Sequence, residues 1–153
     1  MMKQRAVIFD IDGTLADNEH RRHLVDHANY DNTTPKDWDE FKRRASDDTV
    51  KGDIVELLQH LYLVGFAIVL CTGRSSDQYA QTKTWLKNYG IGFDLLLMRT
   101  EHDYRPDTVV KRELLVKIRE KYDPWIVVDD RDSVVAMWRE EGLTCLQCAP
   151  GNF

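Results

Sequence analysis

An α/β protein, with a parallel sheet flanked by helices and a small insertion after its first strand, is the fold this sequence predicts. Three observations carry it: four short apolar runs recur, segments of helical spacing separate them, and polar residues of the kind that line ligand sites follow the runs.

The first run, Ala6, Val7, Ile8 and Phe9, is unbroken and ends at Asp10. A strand covered on both faces has no need of polar alternation, so such a run fits a parallel sheet. The pattern returns at 66–71, 95–98 and 125–128. Between the runs, Ile54, Val55, Leu57, Leu58, Leu61 and Tyr62 keep helical spacing. So do Tyr79, Trp85, Leu86 and Tyr89, and then Leu114, Leu115 and Ile118 in a helix expected over 109–121. Gly65 and Gly90 fit helix ends, and Asp123 with Pro124 breaks the chain before Trp125. A last helix over about 132–141 carries Val134, Val135, Met137 and Trp138, and Gly142 then releases a final strand around 144–147.

Residues 16–50 break the rhythm, being rich in charge, Asn and His with only a modest helical pattern around Trp38 and Phe41. They read as a small cap or lid, and not as a second core. Inserted at the C-terminal end of the first strand, the segment lies over the crevice where open α/β sheets bind ligands. At 153 residues the chain is long enough for one domain, 1–153, with 16–50 inside it.

Composition narrows the function classes. At 42% hydrophobic and 31% charged, the chain can bury a core and stay soluble. No stretch approaches the ~20 apolar residues of a membrane span, and the start lacks the longer apolar region of a secretory signal, so a cytoplasmic protein with no membrane association is expected. Cys71, Cys145 and Cys148 are too few for a disulfide framework. Cys145 and Cys148 form a C-x-x-C with no second pair, which reads as two small apolar residues on a late strand. The net charge of −5 argues against avid, sequence-independent binding of long nucleic acid.

Chemistry concentrates at the ends of the runs. Asp10, Ile11, Asp12, Gly13 and Thr14 put two carboxylates two residues apart at a strand's end, with a glycine to turn the backbone. A carboxylate in line with phosphorus can attack it, and a second can protonate the departing oxygen and later deprotonate water. D-x-D-G also occurs in calcium loops, but their remaining ligand positions and glutamate are missing here. Thr72, Gly73 and Arg74 follow the second run and offer a hydroxyl and backbone N–H groups to a phosphate. Asp129 and Asp130 close the fourth run and bring two more acids toward Asp10 and Asp12; a hard divalent cation, magnesium above all, would resolve their repulsion. Lys111, near a helix start, can reach both a phosphate and the nucleophile; a solvated helix lysine is the plainer alternative.

These pieces, in this order, resemble the haloacid dehalogenase superfamily of phosphatases, which have a Rossmann-like sheet. The resemblance implies Asp10 as nucleophile, Asp12 as general acid and base, Thr72 and Lys111 as phosphate holders, and Asp10, Asp12, Asp129 and Asp130 as the Mg2+ site. A narrower match runs through residues 7–16, 72–74, 107–111, 129–131, 134–139 and the terminal Gly151, Asn152 and Phe153. It is similar to the 3′-phosphatase domains of the bacteriophage polynucleotide kinases, and it implies that Arg21, Arg74 and Asp107 also serve activity, with Gly73 beside them. Arg22 adjoins Arg21 and competes for its role. The sequence contains no G-x-x-x-x-G-K-[ST] loop, so a stand-alone phosphatase is expected, acting on nucleic-acid 3′ ends or nucleotides and partnered by a separately encoded kinase or ligase.

Two other readings compete: a phosphatase of free nucleotides or sugar phosphates, favoured by the acidic net charge, and a catalytically dead binding module, disfavoured by the complete residue set. His20, His23 and His27 share helical spacing but are the lesser metal site. Tyr30, Trp38 and Phe41 read as a small hydrophobic anchor, with base stacking as the alternative.

Overall fold

The computed structural model describes residues 1–26 and 35–153; His27 and Tyr30 lie outside them. In chain order the elements are β1 Arg5–Phe9, β2 Ala16–Asp17, α1 Glu19–Arg22, α2 Trp38–Arg43, a 3-10 turn Arg44–Asp47, β3 Thr49–Val50 and α3 Gly52–Leu63. There follow β4 Ala67–Ser75, a 3-10 turn Ser76–Gln78, α4 Tyr79–Asn88, β5 Leu95–Arg99, α5 Asp107–Lys121, β6 Asp123–Asp129, α6 Asp132–Glu140 and β7 Thr144–Gln147.

Five strands form one parallel sheet in the order β5-β4-β1-β6-β7. The continuous apolar runs have their reason here, because alternate residues of each strand feed different cores. Ala6, Ile8, Ala67, Val69 and Val127 pack with Val110, Leu114, Leu115 and Ile118 of α5 and with Val134 and Trp138 of α6. Val7, Phe9, Ile68, Leu70 and Val128 pack on the other face with Val55 and Leu58 of α3 and with Trp85 and Leu86 of α4. Among the described residues no helix is long and apolar enough to cross a membrane.

Three boundaries differ from the sequence expectation. β4 continues through Ser75, but its register with β5 jumps: Thr72 faces Met98 and Ser75 faces Arg99, so Gly73 and Arg74 bulge outward. A bulge re-aims a side chain, in this case Arg74. α5 starts at Asp107, just after Pro106, and this puts Asp107 one turn before Lys111 on the same helix face. β6 starts at Asp123, ahead of the expected break; Pro124 is tolerated because the register with β1 shifts beside it and β7 pairs only from Ile126 onward.

The insertion begins and ends in a two-stranded antiparallel ladder, Ala16 with Val50 and Asp17 with Thr49.

Candidate active site

Because every strand of the main sheet runs in one direction, Asp10, the bulge of β4, Asp129 and Asp130 all emerge at one edge, beside the point where the strand order reverses around β1.

Lys111 is buried and donates to Asp10 Oδ1 at 2.9 Å and to Asp129 Oδ2 at 2.9 Å. Burial alone would lower its pKa, but the carboxylates of Asp10 and Asp129 push it well above the ordinary lysine value, so the ammonium is permanent. Asp129 also accepts from the Trp138 indole N–H at 3.1 Å and from the Asp130 backbone N–H at 2.9 Å.

Oxygens of Asp10, Asp129 and Asp130 lie within 4.8 Å of one another, all three residues being buried. Burial pushes the Asp10 carboxyl well above the carboxylate range; Lys111 opposes this while Asp129, Asp130 and Asp12 add to it. Burial and Asp129 likewise raise Asp130 to about 6. Three closely set oxygen donors, two of them pushed toward the protonated form, suit a hard divalent cation, which would replace those protons. Saturating divalent cation at pH 7 is therefore expected to raise the melting temperature by roughly 5–10 °C for a chain of this size, at about 100 times Kd. Lowering the pH through about 6 protonates Asp130, so the cation-induced rise should shrink at pH 5, which parallel calorimetric scans would read.

The carboxylate of Asp12 stands outside this trio. Arg74 grips it with Nε at 3.1 Å and Nη2 at 2.6 Å, and Arg21 reaches it with Nη2 at 2.7 Å. Burial would raise the Asp12 pKa, but the two guanidiniums overcome burial and hold it down at about 2. Arg21 is 1% exposed, whereas Arg22 points away to Glu19 and Asp26.

Thr72 is buried, and its hydroxyl accepts the Arg74 N–H at 3.1 Å, leaving its own proton for another acceptor. Asp107 binds Arg99 and accepts from Arg131 at 2.9 Å. Burial would raise its pKa, but Lys111, Arg131 and Arg99 pull it down. A Cβ on Gly73 would stand 2.6 Å from Asp107 Oδ1, so the glycine lets that carboxylate lie against the bulge.

Gly13 has φ +81°, and a Cβ there would come 2.0 Å from Asp130 Oδ2. Gly13→Ala is expected to lower phosphate release about 10²-fold by displacing that acid by the order of 1 Å. The left-handed backbone adds about 1–2 kcal/mol of destabilisation; steady-state rates and denaturant curves would measure both.

Some participants carried no sequence signal. Asp48 is 1% exposed and binds Arg21 at 2.8 and 2.7 Å and His20 at 2.8 Å, although in the sequence it is one acid in a charged insertion. Trp138 reads as a core residue from its helical spacing, yet its N–H serves Asp129. Trp38 is half-exposed and meets Phe41 edge-on at 5.8 Å.

Comparison with known proteins adds an independent finding. A family model described as the polynucleotide kinase PNKP phosphatase domain matches residues 4–153. A protein of Autographa californica nuclear polyhedrosis virus, described as a putative bifunctional polynucleotide kinase/RNA ligase, is 30% identical over 142 residues, covering 89% of this chain and 18% of the viral protein. A chain in the structure of the Pnkp1/Rnl/Hen1 RNA repair complex superposes with TM-score 0.82 at 33% identity, over 99% of this chain and 44% of that one. The chain thus spans less than half the length of either relative. A haloacid dehalogenase-like hydrolase from Streptococcus pneumoniae shares the fold, with TM-score 0.59 at 16% identity over 95% of this chain and 84% of that one.

Proposed function

We propose, from the premise that this chain belongs to the family of polynucleotide kinase PNKP phosphatase domains, that it removes 3′-phosphates from polynucleotide ends with magnesium as cofactor. The observation that carries the reading is that Lys111 binds Asp10 while Arg21 and Arg74 bind Asp12 two residues on, which sets three cations around the proposed nucleophile and acid for a phosphoryl group.

The carboxylate of Asp10 attacks phosphorus, and the P–O bond to the 3′ oxygen breaks, leaving an aspartyl-phosphate. Asp12 protonates the departing oxygen and, in the second step, takes a proton from the water that hydrolyses the acyl-phosphate. In the free protein Arg74 and Arg21 keep Asp12 ionised, which suits the base half of the cycle. The acid half requires both guanidiniums to turn part of their hydrogen bonding to phosphoryl oxygens, which releases Asp12 to hold a proton. Lys111 and the Thr72 hydroxyl steady the phosphoryl group. Asp10, Asp129 and Asp130 would hold Mg2+, which would supply charge neutralisation for the phosphoryl oxygens.

The relatives concerned with RNA repair and RNA ligation make an RNA 3′ end the first substrate to try, and a separate kinase or ligase a fitting partner. With magnesium, the protein is expected to release phosphate from a 3′-phosphorylated oligonucleotide much faster than from its 5′-phosphorylated counterpart. Equal or reversed rates would defeat the reading, and brisk turnover of sugar phosphates with none on oligonucleotides would replace it with a small-metabolite phosphatase.

A further inference from the structure

We propose that Asp48 is a positioning residue of the phosphate grip, a buried anion that fixes Arg21 and Arg74 in the orientation in which they face Asp12. The inference rests on the reading that those two arginines hold the phosphate.

The geometry is a closed frame. Arg21 lays the Nε and Nη2 arms of its fork on the two oxygens of Asp48, at 2.8 and 2.7 Å, and only then reaches Asp12 with Nη2 at 2.7 Å. A bidentate pair of this kind fixes the plane of the guanidinium as well as its position. Its remaining Nη1 donates to the Phe41 carbonyl at 3.3 Å, and the guanidinium lies over the Phe41 ring at 4.2 Å. Arg74 meets Asp48 at 3.4 Å while its Nη1 donates to Thr82 at 3.2 Å. Asp48 cannot follow the arginines if they shift, because its own carbonyl accepts the indole N–H of Trp85 in α4 at 2.8 Å and the hydroxyl of Tyr89, just after α4, at 3.3 Å.

Arg21 belongs to the insertion, Arg74 to the sheet and Asp12 to the loop after β1. Without Asp48, two guanidiniums would compete for the one carboxylate of Asp12 and repel each other across it. The frame also changes what the insertion is. Near its base it presents an arginine from a fixed mount.

The test compares wild type, Asp48→Asn, Asp48→Glu, Arg21→Lys and Asp48→Asn/Arg21→Lys, with magnesium, on an aryl phosphate and on a 3′-phosphorylated oligonucleotide. Asp48→Asn should lower kcat about 10²-fold on both substrates through misplaced arginines. Arg21→Lys keeps the charge but loses the fork. Because Asp48 acts through Arg21, the double variant should fall little below the worse single variant, whereas a structural role elsewhere makes the two losses multiply. Asp48→Asn within threefold of wild type, multiplying losses, or tighter inhibition by inorganic phosphate at unchanged kcat would each overturn the proposal. If Asp48→Asn melts below the assay temperature, Asp48→Glu decides: the retained charge on a longer stem should restore the fold and leave kcat depressed with KM nearly unchanged, and full kcat would refute positioning. Wild type inactive on both substrates would strike the phosphatase reading itself, while activity on the aryl phosphate alone would strike only the choice of substrate.

Discussion

Asp10→Asn is expected to abolish phosphate release, by at least about 10⁴-fold, while leaving the protein folded. An amide has no lone pair fit to attack phosphorus, yet it has the shape of the carboxylate, so β1 and the loop after it have no reason to move. Stability should hold because the cluster itself disfavours a charge at this position, burial first and the neighbouring acids next. Lys111 keeps its bond to Asp129 at 2.9 Å. The melting temperature in cation-free buffer should therefore match or exceed that of wild type, and the benefit of added magnesium should shrink with the lost oxygen ligand. An aryl phosphate assay with paired melting curves checks both halves; activity within tenfold of wild type would remove Asp10 from the role of nucleophile.

Lys111→Ala should produce the second-largest loss, about 10³-fold in rate, with on the order of 10 °C in melting temperature. The ammonium is buried and compensates two buried carboxylates at once, so its removal leaves like charges facing each other, a situation that typically costs about 3–5 kcal/mol. A proton on Asp10 relieves part of that cost, and a divalent cation should relieve more. The stability deficit is accordingly expected to be large in chelator and smaller in magnesium, while the rate deficit persists in both. A rate deficit that vanishes in magnesium would mean that the lysine serves only to balance charge.

The parts of the fold and site that were legible in the sequence are those written in local pattern. The run from Ala6 to Phe9 ends in Asp10, the run at 125–128 ends in Asp129 and Asp130, and parallel topology carries both ends to one edge. Lys111 follows from its place on a helix that begins at the same edge. What stayed hidden depends on contacts between residues far apart in the chain. Nothing local distinguishes Asp48 from Asp47 or Asp39; only the fold buries it against Arg21, 27 positions away, and Arg74, 26 positions away. The bulge that aims Arg74 is set by the pairing of β4 with β5 and leaves no trace in the run of residues itself. Arg21 and Arg22 are equivalent by spacing, and only Arg21 reaches Asp12, because the first turn of the insertion faces it inward.

The ladder of Ala16 and Asp17 with Val50 and Thr49 makes the insertion leave and re-enter the main body through a single doorway. The pairing of those four residues holds the two ends of the insertion together just after β1 and Asp10. Arg21 and Asp48 stand just inside that doorway, one near each jamb. An excision cut at the ladder would therefore remove Arg21 and Asp48 together, and with them every contact that the insertion makes with Asp12 through Arg21.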